Sequence, residues 1–107
     1  MATDKSFHEI FLSKINSSKI KTRSMMGEYL VYYDGKMIGG LYDNRLLVKA
    51  SNSSLEKLEG YELVSPYPNA KEMIFIPNIS DIEDIETLFS DIKNDLRWSF
   101  ANSEKLS

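Results

Sequence analysis

The sequence predicts an α+β fold, in the order α-β-β-β-α-β-β-α, with a single antiparallel sheet and helices packed on one of its faces. Three observations predict it. Apolar residues recur at helical spacing near both ends of the chain, residues alternate with period two through the middle, and two-residue turn signals tie the central strands into a meander. Strands and helices segregated in this way build one sheet with helices against it.

The first helix is expected between Thr3 and Ser17, where Phe7, Ile10, Phe11 and Ile15 share a face and Asp4, Lys5, Glu9 and Lys14 lie on the wetter side. Thr3 or Ser6 caps it, the latter with Glu9 in capping-box register, and Asn16, Ser17 and Ser18 end it. From Arg23 the period changes. The runs MMGEYLVYY, KMIGGLY and RLLVKA are separated by Asp34-Gly35 and Asp43-Asn44, residues that tolerate the positive φ of a type I′ turn. Tight turns fix the register. Tyr33 is set opposite Lys36, Tyr32 opposite Met37 and Leu30 opposite Gly39, then Tyr42 opposite Arg45, Leu41 opposite Leu46 and Gly39 opposite Val48.

On this register Leu30, Tyr32, Met37, Leu41, Leu46 and Val48 face the helices. The other face carries Tyr29, Val31, Tyr33, Ile38, Tyr42, Arg45, Leu47 and Lys49, a mixture too apolar to lie bare in water. Gly39-Gly40 inside a strand marks a bulge, or a ring such as that of Tyr29 lying close over the backbone, and a bulge there shifts the register.

After Ala50, Ser and Asn caps, Leu55, Leu58 and a Gly60 stop predict a helix of about two turns. Tyr61 to Val64 and MIFIP are brief strands around the turn-rich SPYPNAKE loop. Ser80 with Glu83 reads as the capping box of a final helix whose stripe is Ile82, Ile85, Phe89, Ile92 and Leu96, with Trp98 off the stripe and ANSEKLS frayed. The expected core is Leu30, Leu41, Leu46, Val48, Ile85, Phe89 and Ile92.

Residues 1–107 amount to one domain with an ordered core over about 3–100. Hydrophobic residues at 42% and charged residues at 27% exclude a disordered or coiled-coil chain, and the lack of cysteine excludes disulfides, thiolate zinc sites and a thiol nucleophile. A net charge of −3 argues against a surface that is all nucleic-acid footprint, because phosphate binding depends on clustered Lys and Arg. No apolar run approaches the roughly 18 residues that span a bilayer, and MATDKSFHEIF lacks a secretory pattern. A cytoplasmic location, with no membrane partner, is expected.

The sequence offers no catalytic, cofactor-binding or metal residues. His8 is the single histidine and is expected to be a surface side chain, while Asp81, Glu83, Asp84 and Glu86 suit a helix N-terminus better than a calcium loop. Gly39-Gly40 does not open a phosphate-binding fingerprint. Lys14, Lys19, Lys21 and Arg23 make a small basic patch, and Tyr29, Tyr32, Tyr33 and Tyr42 resemble an aromatic stacking face, but the register turns Tyr32 inward. Glu28 stands out. It is a carboxylate in an apolar strand, predicted opposite Leu41 on the inward face, where it pairs with Arg23 or a lysine or serves a ligand or partner. The candidate partner surface is therefore Arg23, Met25, Met26, Gly27, Glu28 and Tyr29.

The run from Arg23 to Met37, RSMMGEYLVYYDGKM, followed by GGLYDNRLLVK from Gly39 to Lys49, resembles the N-terminal domain of the TfoX/Sxy family. The Tyr67 to Ala70 loop, the Met73 to Ile76 strand ending at Pro77 and the closing helix are similar to it as well. The chain is similar to the stand-alone form, without the C-terminal helical domain. Met26-Gly27-Glu28 departs from the family's usual aromatic, glycine, glycine and marks a subgroup. The resemblance implies a secretion-chaperone-like α+β arrangement, a regulator of the bacterial competence type, and no catalytic residues.

The resulting expectation is a non-enzymatic regulatory or protein-binding module with a protein partner, forming a homodimer over the second sheet face and Trp98. Two other readings stand beside it. One is a direct nucleic-acid binder through the basic patch, which the acidic balance disfavours; the other is a small-molecule binder or enzyme centred on Glu28 and Tyr29.

Overall fold

A computed structural model describes the backbone of residues 2–106 and the side chains of residues 2–96. In chain order the elements are α1 (Lys5–Lys14), β1 (Ile20–Met25), β2 (Glu28–Tyr33), β3 (Lys36–Leu41), β4 (Leu46–Lys49), α2 (Asn52–Lys57), β5 (Leu63–Val64), β6 (Met73–Ile76), a 3₁₀ turn (Ile79–Asp81) and α3 (Ile85–Leu106). The strands form a single six-stranded antiparallel sheet in the order β1-β2-β3-β4-β6-β5. The α+β class and the order of elements are those the sequence predicts, with one strand more, β1.

That strand arises from a third two-residue turn. Met26 at φ 52° and Gly27 at φ 86° reverse the chain just as Asp34-Gly35 and Asp43-Asn44 do, and Met25 pairs with Glu28. Methionine is not a turn residue by chemistry, so the run MMGEYLVYY reads as one strand until its geometry is seen.

Register follows prediction next to each predicted turn. Tyr33 pairs with Lys36 and Tyr32 with Met37, while Leu41 pairs with Leu46 and Gly39 with Val48. Between them β3 holds one extra residue. The pairing slips between Val31 and Tyr32, so that Val31 meets Gly39 and Leu30 meets Gly40, and Ile38 is the residue left over. Because side chains alternate with period two, this bulge exchanges the faces of β2 relative to β4. Val31, Tyr33 and Ile38 enter the core with Leu41, Leu46 and Val48, whereas Leu30, Tyr32 and Met37, expected inward, lie on the opposite, outer face.

Both glycines of β3 are there for close approach. A Cβ at Gly39 would collide with the Leu47 carbonyl and stand 3.0 Å from Val48 Cα, and one at Gly40 would stand 2.5 Å from the Tyr42 ring. The covering ring is thus Tyr42 rather than Tyr29.

The helices close the other face. Phe11, Leu58, Leu88, Phe89 and Ile92 meet the buried strand residues Ile20, Val31, Ile38, Ile74 and Ile76 in one core, with Ile85 and Leu96 packed at its margin. α1 is shorter than expected, and its Ile10 is exposed. α2 is fastened as its serines predict: Ser51 Oγ accepts the Ser54 N–H at 3.4 Å, and Ser54 Oγ accepts the Ser51 N–H at 2.7 Å. Asp95 of α3 accepts the Ser53 N–H at 2.6 Å, and Lys57 pairs with Asp91 across the same interface.

The expected Ser80–Glu83 capping box does not form. Asn78 accepts the Ser80 N–H at 3.0 Å and starts the 3₁₀ turn instead, while Asp84 accepts the Thr87 N–H at 3.1 Å and the Thr87 hydroxyl at 2.6 Å. An ionised side chain that takes two bonds at once is the stronger cap, so the helix begins one turn later. α3 continues to Leu106 through the segment expected to fray, and Trp98 lies outside the described side chains. Among the described residues no helix is long and apolar enough to cross a membrane.

Phe89 is fully buried where α3 crosses the sheet. Phe89→Ala should therefore lower the unfolding free energy by about 3 to 5 kcal/mol in a denaturant titration. A loss under about 1 kcal/mol would mean that α3 turns a different stripe to the sheet.

Candidate functional site

The N-terminal segment ties two hairpin ends together. Buried Thr3 donates its N–H to the Gly27 carbonyl at 2.9 Å and its hydroxyl to the Leu41 carbonyl at 3.0 Å, and the same hydroxyl accepts the Asn44 N–H at 3.2 Å. Asp4 donates its N–H to Asn44 Oδ1 at 2.8 Å. The β1–β2 turn and the β3–β4 turn are thereby held side by side at one end of the sheet.

Beside them, on the outer face, runs a groove of about 580 Å³. Leu30, Met37 and Tyr42 line it from the sheet, Met25 and Met26 from the first turn, and Pro66, Tyr67 and Pro68 from the loop before β6. Its rim is apolar and bare: Met26 is 93% exposed, Tyr67 61% and Met25 53%. A neighbouring cavity of about 390 Å³ shares Met37, Tyr42, Pro66 and Tyr67 with it.

Three charged groups, Glu28, Asp43 and Arg45, line this apolar surface. Glu28 uses Oε2 to accept the Asp43 N–H at 3.0 Å, while its Oε1 is buried with no hydrogen-bond partner. Arg45 has a buried Nε in the same condition. The Glu28 carboxylate and the guanidinium share the groove without forming an ion pair with each other, nor, among the described residues, does Glu28 pair with Arg23 or a lysine. Burial, then the neighbouring Tyr67, Glu28 and Tyr32, pushes the Tyr42 hydroxyl above the usual tyrosine range. Burial, reinforced by Lys36, lowers the Lys49 ammonium on the same face.

The residues singled out by sequence divide between two places. Met25, Met26 and Glu28 line the groove. Glu28 lies opposite Met25 on the outer side, not opposite Leu41 on the inner side, because the bulge moves Tyr29 into that position. Arg23 is exposed opposite Leu30, and Gly27 directs its carbonyl to Thr3. Tyr29 turns to the helical side, where its ring stacks on His8 with centroids 3.8 Å apart and planes 12° from parallel.

His8 is consequently not a plain surface side chain. Its Nε2 lies 2.8 Å from Thr22 Oγ1, and burial lowers its proton affinity, with the nearby Glu9 opposing that shift. Among the described residues no group of three or more His, Asp or Glu is placed to hold a metal ion.

Arg45, Met37, Tyr67 and the two prolines of the groove escape a reading of the sequence. The signal that reaches them is the glycine pair: once Gly39-Gly40 implies a slip of one residue, Leu30, Tyr32 and Met37 move to the face that already carries Arg45.

Residues 12–84 match the TfoX N-terminal domain family. Over 73 residues the chain is 37% identical to the "Uncharacterized 12.7 kDa protein in trpE 5′ region" of Spirochaeta aurantia, a stretch that covers 67% of this chain and 64% of that protein. The chain thus spans somewhat less than two thirds of that relative's length. No solved structure matches.

The His8 environment has a measurable consequence. Its affinity for a proton is lower in the fold than the ordinary value of 6.5, so near and below that pH the unfolded chain binds more protons than the folded one. The contribution is fully present above about pH 6.5 and is lost as pH falls through the lowered folded value. Asp34, held down by its hydrogen bond and charge pairing with Lys93, and Asp84, held down by Thr87, act only below the usual carboxylate value of 3.8. The melting temperature should thus fall between about pH 7 and 5, and His8→Gln should flatten that fall. An unchanged slope in the variant would assign it to other groups.

Proposed function

Because this chain belongs to the TfoX N-terminal domain family, we propose that it is a non-enzymatic regulatory module that recognises a protein surface through the groove on its outer sheet face. A cytoplasmic location is part of this reading.

The observation that carries it is Met26. A type I′ turn needs positive φ at both central positions and is best served by Asn, Asp or Gly, as the other two turns illustrate. A methionine there costs about 1 to 2 kcal/mol of backbone strain and gains no burial, being 93% exposed. Strain held without a structural return is characteristic of binding and switch positions. Methionine is moreover the side chain best able to fit varied apolar partners, and Met25, Met37 and Tyr67 extend the same surface.

The chemistry of the site agrees with recognition rather than catalysis. The chain's single imidazole is held between Tyr29 and Thr22 on the other side of the sheet, and the groove offers the carboxylates of Glu28 and Asp43 and one guanidinium in an apolar setting, with no imidazole or nucleophile among them.

Affinity capture from a lysate of the source organism tests the reading. Met26→Asn supplies the residue the turn prefers, so its melting temperature should equal or exceed that of the native chain while partner capture is lost. Ile10→Ser, on the exposed side of α1, should leave capture intact. Retained capture by Met26→Asn would remove the groove from consideration.

One observation favours direct nucleic-acid binding: Tyr32 lies on the outer face opposite Lys21, with Arg23 and Arg45 on the same face. Against it stand the net charge of −3 and the carboxylate of Glu28 within the groove. The protein should form no submicromolar complex with duplex DNA at about 150 mM salt. A mobility shift at that affinity would promote this reading over the first.

A further inference from the structure

Resting on that reading, we infer that the partner seated in the groove is a second copy of this chain. Two protomers meet across a two-fold axis, Met26 of each entering the groove of the other and Glu28 of each facing Arg45 of the other.

The surface is complementary to itself in shape. The β1–β2 turn carries a methionine standing 93% clear of its own protomer, and beside that turn lies an apolar hollow of about 580 Å³. A protrusion and a recess side by side on one face are what an isologous contact requires, since every contact then occurs twice.

It is complementary in charge as well. Glu28 and Arg45 line the same hollow with opposite charge and form no ion pair with each other within the protomer. Glu28 Oε1 and Arg45 Nε are enclosed within the protomer, so it is the other carboxylate oxygen and the guanidinium NH2 groups that a two-fold axis through the groove sets against their opposites on the neighbour. The apolar rim of Met25, Met26 and Tyr67 then shields the two ion pairs from water.

The sheet edges suit self-association less well. β5 is a strand of two residues, and β1 exposes Lys21 and Arg23, charges that blunt an edge against pairing.

Sedimentation velocity gives the test. At tens of micromolar the native chain should sediment as a species of about 25 kDa, twice its 12.3 kDa. Glu28→Arg sets guanidinium against guanidinium across the axis and Arg45→Glu sets carboxylate against carboxylate, so each alone should sediment as a monomer with an unchanged circular-dichroism spectrum. Mixed in equal amounts they should regain the dimer, because every pair across the axis is then of opposite sign. Met26→Asn should weaken the native dimer at least tenfold.

A native monomer up to about 200 µM, or a dimer that both charge reversals leave intact, would overturn the inference. A native monomer whose capture of another protein still fails in Met26→Asn would do so while keeping the groove as a recognition surface. A dimer restored by mixing, together with capture that Met26→Asn leaves unchanged, would uphold the inference and end the reading on which it rests.

Discussion

Gly39 lies so close to β4 that any side chain there would meet the Leu47 carbonyl, and at that point β3 slips by one residue against β2. Backbone pressed against backbone at this position requires the smallest residue, and the extra residue Ile38 is taken into the core. Everything on the β1–β2 side is set by this step. It sends Val31 and Tyr33 toward the helices and gives Leu30, Tyr32 and Met37 to the open face. Without it the groove would have Val31 and Tyr33 on its floor and the core would have to accommodate Met37. The division between the core face and the face that carries the groove is thus a matter of register.

The groove's rim is held by hydrogen bonds that reach across the sequence. Thr3 binds the Gly27 and Leu41 carbonyls and the Asn44 amide, and Glu28 binds the Asp43 amide, so two turns and the N-terminal segment move as a unit. This explains a partly structural role for Glu28 that sits beside its free oxygen. It also preorganises the methionine-bearing turn, which would lower the entropy lost by a partner bound there.

Much of the fold was legible because its local signals agree with one another. Asp34-Gly35 and Asp43-Asn44 mark hairpins by their tolerance of positive φ, Ser51 and Ser54 mark α2, and the Phe89 and Ile92 stripe marks the buried side of α3. Misreadings arose where local chemistry and tertiary geometry part company. Met26 occupies a turn without turn chemistry, which hid β1, and the bulge beside Gly39 inverted the faces of β2. Of the candidate surface, Met25, Met26 and Glu28 fall together, since they flank one turn, while Tyr29 is drawn away by the alternation of the strand toward His8. Arg45, Tyr67 and the prolines come from distant parts of the chain and are gathered only by the sheet order.

The three tight turns also bear on how the chain reaches its structure. They join four consecutive strands by contacts close in sequence, whereas the Thr3 and Asp4 bonds to Leu41 and Asn44 close loops of 38 and 40 residues. Closing a long loop is entropically dearer than extending a hairpin, so the meander assembles first and the N-terminal segment docks onto finished turns. During folding, then, the open face takes shape before its rim is locked, and the last step to form is also the first available to fray. Local opening of residues 2–4 would release the methionine turn from its neighbour while leaving the sheet intact.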